Sequence, residues 1–186
     1  MTIGRIVRAS MAIGLLVLTA ACAQPSRPEA MAAGRPTDAP PQVSGARFSV
    51  GQVAGGEETN PMWTSEVSAA AFQAALTASL VNAGLHDAGS NLQIDAVLED
   101  LDQPLAGFDM TVTSQVTYRV VNGSSDILLE QRVVAPHTAT VGDAFLGMER
   151  LRLANEGSIR ANITRFIEIL RTTPFETIGG VSSQIS

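Results

Sequence analysis

One long alternation of apolar and polar residues constrains the fold of this chain more than any other feature. Its inward set is Phe108, Met110, Val112, Ser114, Val116, Tyr118 and Val120, and polar or charged residues stand between them. Successive side chains of a β-strand point to opposite faces of the sheet. The stretch therefore predicts a strand with one face in a core and the other in water, as in an antiparallel sheet covered on one side.

Weaker patterns predict the elements around this strand. Further strands are expected at 48–54, 92–98 and 127–134, and helices at 60–82 and 143–170. Asn122-Gly123 is a strong hairpin signal before the last strand, and Pro136 should limit that strand. The order β-α-β-β-β-α predicts an α+β domain, a four-stranded antiparallel sheet with two helices packed on one face.

The first residues have the parts of an export signal. Arg5 and Arg8 precede an apolar run at 11–18, which is too short to span a bilayer, and small residues then lead to Cys22. Cys22 is the only cysteine, so it has no disulfide partner within the chain. We expect residues 1–21 to be a lipoprotein signal peptide and Cys22 to be lipidated, for example with palmitate.

The same residues allow a second interpretation. Ala21-Cys22-Ala23 also satisfies a small-x-small cleavage rule, which would release a soluble periplasmic protein that starts at Gln24. Ala23 rather than aspartate follows the cysteine, which resembles lipoproteins forwarded to the outer membrane. The expected location is thus the periplasmic face of the outer membrane.

Composition divides the rest of the chain. Residues 22–45 hold five of the nine prolines and few large apolar residues, so we expect a lipidated cysteine followed by a disordered tether. Such a tether would span about 25–30 Å as a coil and about 70 Å when extended. Residues 46–173 are expected to form the globular domain, and residues 174–186 a flexible tail.

The charge balance excludes one class of partner. The chain has 12 basic residues, all arginine, against 18 acids; without Arg5 and Arg8 the net charge is 10 − 18 = −8. Nucleic acids require a basic face, so we expect no nucleic-acid partner. The same charge opposes docking on anionic lipid, and we expect the membrane to be met through the lipid anchor only.

The sequence contains few candidates for catalytic or metal-binding residues. His86 and His137 have no partners at metal-ligand spacing, and no nucleophile elbow, phosphate loop or dinucleotide fingerprint occurs. The sequence therefore predicts a protein that is not an enzyme, with no catalytic residues, no metal and no cofactor.

Candidate contact residues come from the two helices. The last helix carries an apolar arc, and Arg150, Arg160, Arg165 and Arg171 on the opposite face predict either a solvated face or a basic stripe for an acidic partner. Arg152 falls inside the apolar arc. Either core contact starts later, near Ile159, or Arg152 meets an acid such as Asp100 or Asp102. The first option leaves the helix start projecting as a contact surface. The candidates are Trp63, Phe145, Met148 and Arg152.

A signal with Cys22, a proline-rich tether and this element order resembles a group of small Gram-negative envelope lipoproteins. The likeness in topology rests on Cys22, the strand and helix at 48–82, the paired strands at 108–134 and the closing helix through 154–159. The families are the lipopolysaccharide-assembly lipoprotein and the auxiliary lipoprotein of ABC-type transporters. The resemblance implies a non-enzymatic lipoprotein that assists assembly or transport of outer-membrane components by binding an envelope protein complex, such as a barrel or a transporter component. The alternative is a lipoprotein that activates a periplasmic cell-wall enzyme.

Overall fold

The computed structural model describes residues 24–35, 42–58 and 66–175. These residues form three helices and four strands. In chain order they are α1 (Pro28–Met31), β1 (Ser49–Gly55), α2 (Ala69–Asn82), β2 (Gln93–Asp102), β3 (Met110–Val121), β4 (Ile127–Ala139) and α3 (Gly147–Thr172). Within those ranges, no helix is both long and apolar enough to cross a membrane.

The strands form one sheet in the order β1-β2-β3-β4, and that sheet is mixed. β2 pairs antiparallel with β3, and β3 with β4, but β1 runs parallel to β2. The expectation of a purely antiparallel sheet is wrong at this one pairing. The reason is the connection: α2 carries the chain back to the end where β1 began, and a helical crossover joins parallel strands.

The predicted alternation of β3 is confirmed. Its even-numbered residues from Met110 to Val120 are buried beneath α2 and α3, and the residues between them line the outer face of the sheet. Tyr118 stands at the centre, stacked on Phe166 of α3 with ring centroids 3.8 Å apart and edge-on to Phe72 of α2 at 6.4 Å. Both long helices therefore cover the same face, as expected.

Several element bounds differ from the sequence prediction. Residues 66–68 are not helical, and α2 starts at Ala69 after Ser68, whose hydroxyl accepts from the N–H of Ala71. β4 continues through Pro136 to Ala139. It lies at the edge of the sheet, where a proline whose nitrogen faces outward removes no ladder bond. α3 begins at Gly147 rather than at residue 143.

The expected disordered tether is wrong for residues 24–35, which pack along the groove between α2 and α3. Met31 and Ala33 are buried in the main core. The N–H of Ala33 donates to the Ser79 hydroxyl at 2.8 Å, and the side chain of Arg160 donates to the carbonyl of Ala30 at 2.7 Å. Two small apolar contacts and several hydrogen bonds order a segment whose composition indicates disorder.

Packing also extends beyond the expected domain limits on the other sides. The N–H of Val43 donates to the carbonyl of Arg171 at 2.9 Å. Phe175, placed in the tail by the sequence prediction, is buried edge-on against Phe48 with ring centroids 5.1 Å apart. The folded unit therefore includes residues on both sides of 46–173.

Candidate functional site: an apolar loop end

Large apolar side chains are exposed at one end of the domain. This loop end comprises the β2–β3 loop, residues 103–109, and the β4–α3 loop, residues 140–146. Phe108 is 86% exposed and Phe145 87%, and Leu105 is fully exposed at the tip of its loop. Leu146 and Val141 are exposed beside Phe145. Large exposed apolar patches are typical of contact surfaces, so the loop end is a candidate contact surface.

Arg150 fixes the two loops relative to each other. Its guanidinium donates to the carbonyls of Ala144 and Phe145 at 2.9 and 2.7 Å, and to the carbonyl of Gly107 in the other loop at 3.3 Å. The side chain is buried, so these bonds form out of water, where a charged donor binds carbonyls more strongly. One residue thus connects both halves of the loop end.

A cavity of about 430 Å³ lies between the β2–β3 loop and the start of α3. Its lining includes Pro104 and Leu105 from one loop and Met148 and Leu151 from the helix. A small second core supports it from below, formed by Met110, Val112, Ala139, Leu151 and Ala154. The exposed tips therefore stand on a packed base.

Arg152 does not belong to this contact surface, so its assignment as a contact residue is wrong. Its side chain is buried and pairs with Glu149 and, at 2.8 Å, with Glu156 of the same helix. Glu156 is itself buried and also accepts from the Arg27 side chain at 3.1 Å. Arg152 thus meets acids, as one alternative expected, but they are Glu149 and Glu156 of its own helix and not Asp100 or Asp102. The main core takes its α3 residues from Ile159 onward, as the other alternative expected, and Leu151 belongs to a second, smaller core.

The other arginines of α3 bind neighbouring segments, and Arg160 and Arg165 remain exposed on its outer face. Each donates to a backbone carbonyl of a neighbouring segment: Arg150 to both loops, Arg160 to α1, Arg165 to β4 and Arg171 to the end of α2. Guanidinium groups satisfy carbonyls that no secondary structure pairs. The helix therefore uses its arginines to hold its surroundings in place.

The remaining predicted site residues divide into two groups. Cys22 and Trp63 lie outside the described residues. Phe145 is exposed at the loop end and Met148 is half-buried in the wall of the cavity, so the fold brings these two together. Leu105, Phe108 and Arg150 were missed. Phe108 continues the alternation of β3 and was assigned to its buried face, but the strand starts only at Met110.

Acidic side chains surround the loop end. A second cavity, of about 530 Å³, opens beside it and is lined by Glu57, Glu99, Asp100 and Asp102 among others. No group of three or more histidine, cysteine, aspartate or glutamate side chains in the described ranges is arranged to hold a metal. Asp143 accepts from the N–H and hydroxyl of Thr140 at 2.7 and 2.9 Å, and these bonds lower the pKa of its carboxyl.

Comparison with known proteins gives the fold. No protein-family model and no curated protein sequence matches this chain. Among solved structures, a Xanthomonas campestris protein of the DUF330 family aligns with a TM-score of 0.55 and 12% identity, over 75% of this chain and 91% of that one. A proposed lipoprotein from Caulobacter crescentus aligns with a TM-score of 0.42 and 12% identity, over 53% and 80%. The DUF330 protein shares the fold of this domain.

Proposed function

We propose that this chain is a lipid-anchored protein of the bacterial envelope that acts by contact and performs no chemistry. It assists the assembly or transport of outer-membrane components from the periplasmic face of the outer membrane. One observation carries the proposal: the domain exposes apolar side chains at a rigid loop end, whereas its buried charges are engaged in ion pairs and backbone bonds.

The type of component rests on the resemblance in topology. Lipopolysaccharide-assembly lipoproteins and auxiliary lipoproteins of ABC-type transporters act by binding a barrel or a transport complex, and we propose a partner of that class here. Fold alone does not define function. The lipidation signal at Cys22, the exposed Phe145 and Met148, which is half-buried in the wall of the cavity between the β2–β3 loop and α3, are the features of this chain that support the assignment.

The docking of residues 24–35 disfavours the alternative, activation of a cell-wall enzyme across the periplasm. That role needs a long tether, but Ser26 is already packed against the domain. Cys22 precedes Ser26 by four peptide units, which span at most about 14 Å. A domain held this close to its membrane meets partners in or near that membrane first.

Lipid attachment at Cys22 is tested by labelling the wild type and Cys22→Ala with radioactive palmitate. We expect label in the wild type and none in the variant.

The proposed role in assembly or transport is tested by deleting the gene and measuring outer-membrane permeability to a bulky antibiotic. We expect permeability to rise and to be restored by the wild type but not by Cys22→Ala. An altered pattern of cell-wall cross-links with an intact permeability barrier would support the cell-wall alternative instead.

A further inference from the structure

We infer that the loop end lies against the bilayer that holds Cys22, with Leu105, Phe108 and Phe145 immersed in its interfacial region. The inference rests on the lipid attachment proposed above, and it adds a second membrane contact made by the domain itself. The partner of this surface is a phospholipid bilayer of low net charge.

The path of the N-terminal segment sets the orientation. The N–H of Ser26 donates to the carbonyl of Glu66, just before α2 starts, at 3.3 Å. Ala33 lies near the other end of α2, where the Asn82 side chain donates to its carbonyl at 2.9 Å. The segment therefore runs along α2 from start to end, and Ser26 lies where α2 begins.

The start of α2 lies at the same end of the sheet as the exposed loops. β1 ends at Gly55, which pairs with Leu98, and the N–H of Glu57 then donates to the carbonyl of Val67 at 3.1 Å. β2 runs parallel to β1 and leads from Leu98 into residues 103–109. The lipidated cysteine is thus attached at the loop end.

The length of the spacer then decides which end meets the membrane. Four peptide units separate Cys22 from Ser26 and span at most about 14 Å. β3 has 12 residues and is about 40 Å long, so the hairpin at 122–126 lies too far away for the same anchor. The acyl chains hold the loop end at the bilayer surface and keep its local concentration there high.

The chemistry of the loop end suits that position. The free energy of transfer from water to the boundary between headgroups and acyl chains is favourable for exposed phenylalanine and leucine side chains. The charges around them are acidic: Asp102, Asp109 and Asp143 are exposed, whereas Arg150 is buried and bound to carbonyls. Such a surface is repelled by anionic lipid, so the bilayer it fits is net-neutral.

The single cysteine makes a direct experiment available. Cys22 is acylated in the lipidated protein, so a cysteine introduced elsewhere is the only free thiol. Phe108→Cys and Phe145→Cys place an environment-sensitive fluorophore at the loop end, and Ser124→Cys places it in the exposed hairpin at the far end. The full lipidated chain is reconstituted into phosphatidylcholine vesicles, with and without lipids that carry a quencher in the acyl chains.

At positions 108 and 145 we expect a blue-shifted emission and quenching several-fold stronger than at position 124. Replacing part of the phosphatidylcholine by phosphatidylglycerol should weaken the quenching. Water-like emission at the loop end, with the protein still bound to vesicles, would overturn the inference and indicate a protein partner or a second copy on this surface. Stronger quenching with phosphatidylglycerol would overturn the preference for a neutral bilayer. If the wild type takes up no palmitate, the lipoprotein proposal fails, and this inference fails with it.

Discussion

Single residues in this domain hold together segments that are far apart in the chain. Glu156 is the main example. Its carboxylate is 1% exposed and accepts from Arg27, in the docked N-terminal segment, and from Arg152 of its own helix. A buried carboxylate between two guanidinium groups is tolerated because both charges and most lone pairs are compensated.

Replacing Glu156 by glutamine should therefore destabilise the domain, because it leaves Arg152 buried with one acid partner fewer. Removing one partner of a buried pair costs about 3–5 kcal/mol, and the half-exposed Arg27 places the expected loss near the lower limit. Urea denaturation followed by circular dichroism measures it. The matched control is Glu130→Gln, which breaks the exposed pair with Arg119 and should change stability little. Equal effects of the two substitutions would contradict the structural role of Glu156.

Tyr118 gives a prediction on pH. Full burial raises the pKa of its hydroxyl well above the ordinary value of 10.0, so the folded state holds a proton that the unfolded state releases at high pH. The contribution of Tyr118 to stability is complete below about pH 10 and decreases as the pH rises above it. Tyr118→Phe should remove this decrease in stability at alkaline pH. At neutral pH it should cost about 1–3 kcal/mol, because the Asn162 oxygen loses its donor.

The test is to measure the denaturation midpoint of the wild type and of Tyr118→Phe at about pH 8 and about pH 11. We expect the difference between the two pH values to be smaller in Tyr118→Phe than in the wild type. Tyr118 is the only tyrosine, so tyrosinate absorbance reports its ionisation without interference. Ionisation in the folded state near pH 10 would show that the phenol is not sealed from solvent.

At the scale of helices and strands, periodicity predicts buried faces well and connections poorly. The alternation of β3 identified its core face because the period of two holds for any paired strand. The parallel pairing of β1 was missed because it depends on where α2 returns the chain. The docked segment at 24–35 was missed because composition reports average hydrophobicity, whereas burial here needs only Met31 and Ala33 in a groove.

Arg150 shows a different limit of helical periodicity. Its angle around α3 places it on the solvated face, but the structure buries it. Side chains on a helix point back towards its N-terminus, so a long arginine near the first turn reaches residues before the helix. Here it reaches the carbonyls of Ala144 and Phe145 and, beyond them, Gly107. The helical wheel contains no information about those loops.

Arg150→Met should consequently loosen both loops while the sheet stays folded. We expect amide hydrogen exchange to increase in residues 103–109 and 140–146, with little change in the hairpin at 122–126. Arg160→Met is the matched control on the same helix, and it should increase exchange in residues 28–33 instead, because Arg160 binds the carbonyl of Ala30. The same exchange pattern in both variants would mean that the arginines act on the helix as a whole.

For the whole molecule, the docked segment changes the role of the lipid anchor that we propose. A tether of residues 22–45 would leave the domain free to turn in any direction. Because residues 26–33 are packed against the domain, the proposed anchor would instead fix an end of the domain, and that end carries Leu105, Phe108 and Phe145. Orientation then becomes part of the function that we propose.

A flexible insertion can test orientation of the domain separately from its attachment to the membrane. A Gly/Ser segment of about 20 residues between Ala23 and Gln24 spans about 25 Å as a coil and should release the loop end from the bilayer. The variant should still take up palmitate and fold, because the contacts of residues 26–33 are unchanged. It should fail to restore the permeability barrier in the deletion strain. The control variant carries the same segment between Gly123 and Ser124, in the exposed hairpin at the far end of the domain. This variant should restore the permeability barrier fully. If both insertions complement, the domain works at a distance from its membrane, and the short spacer has no role in orientation.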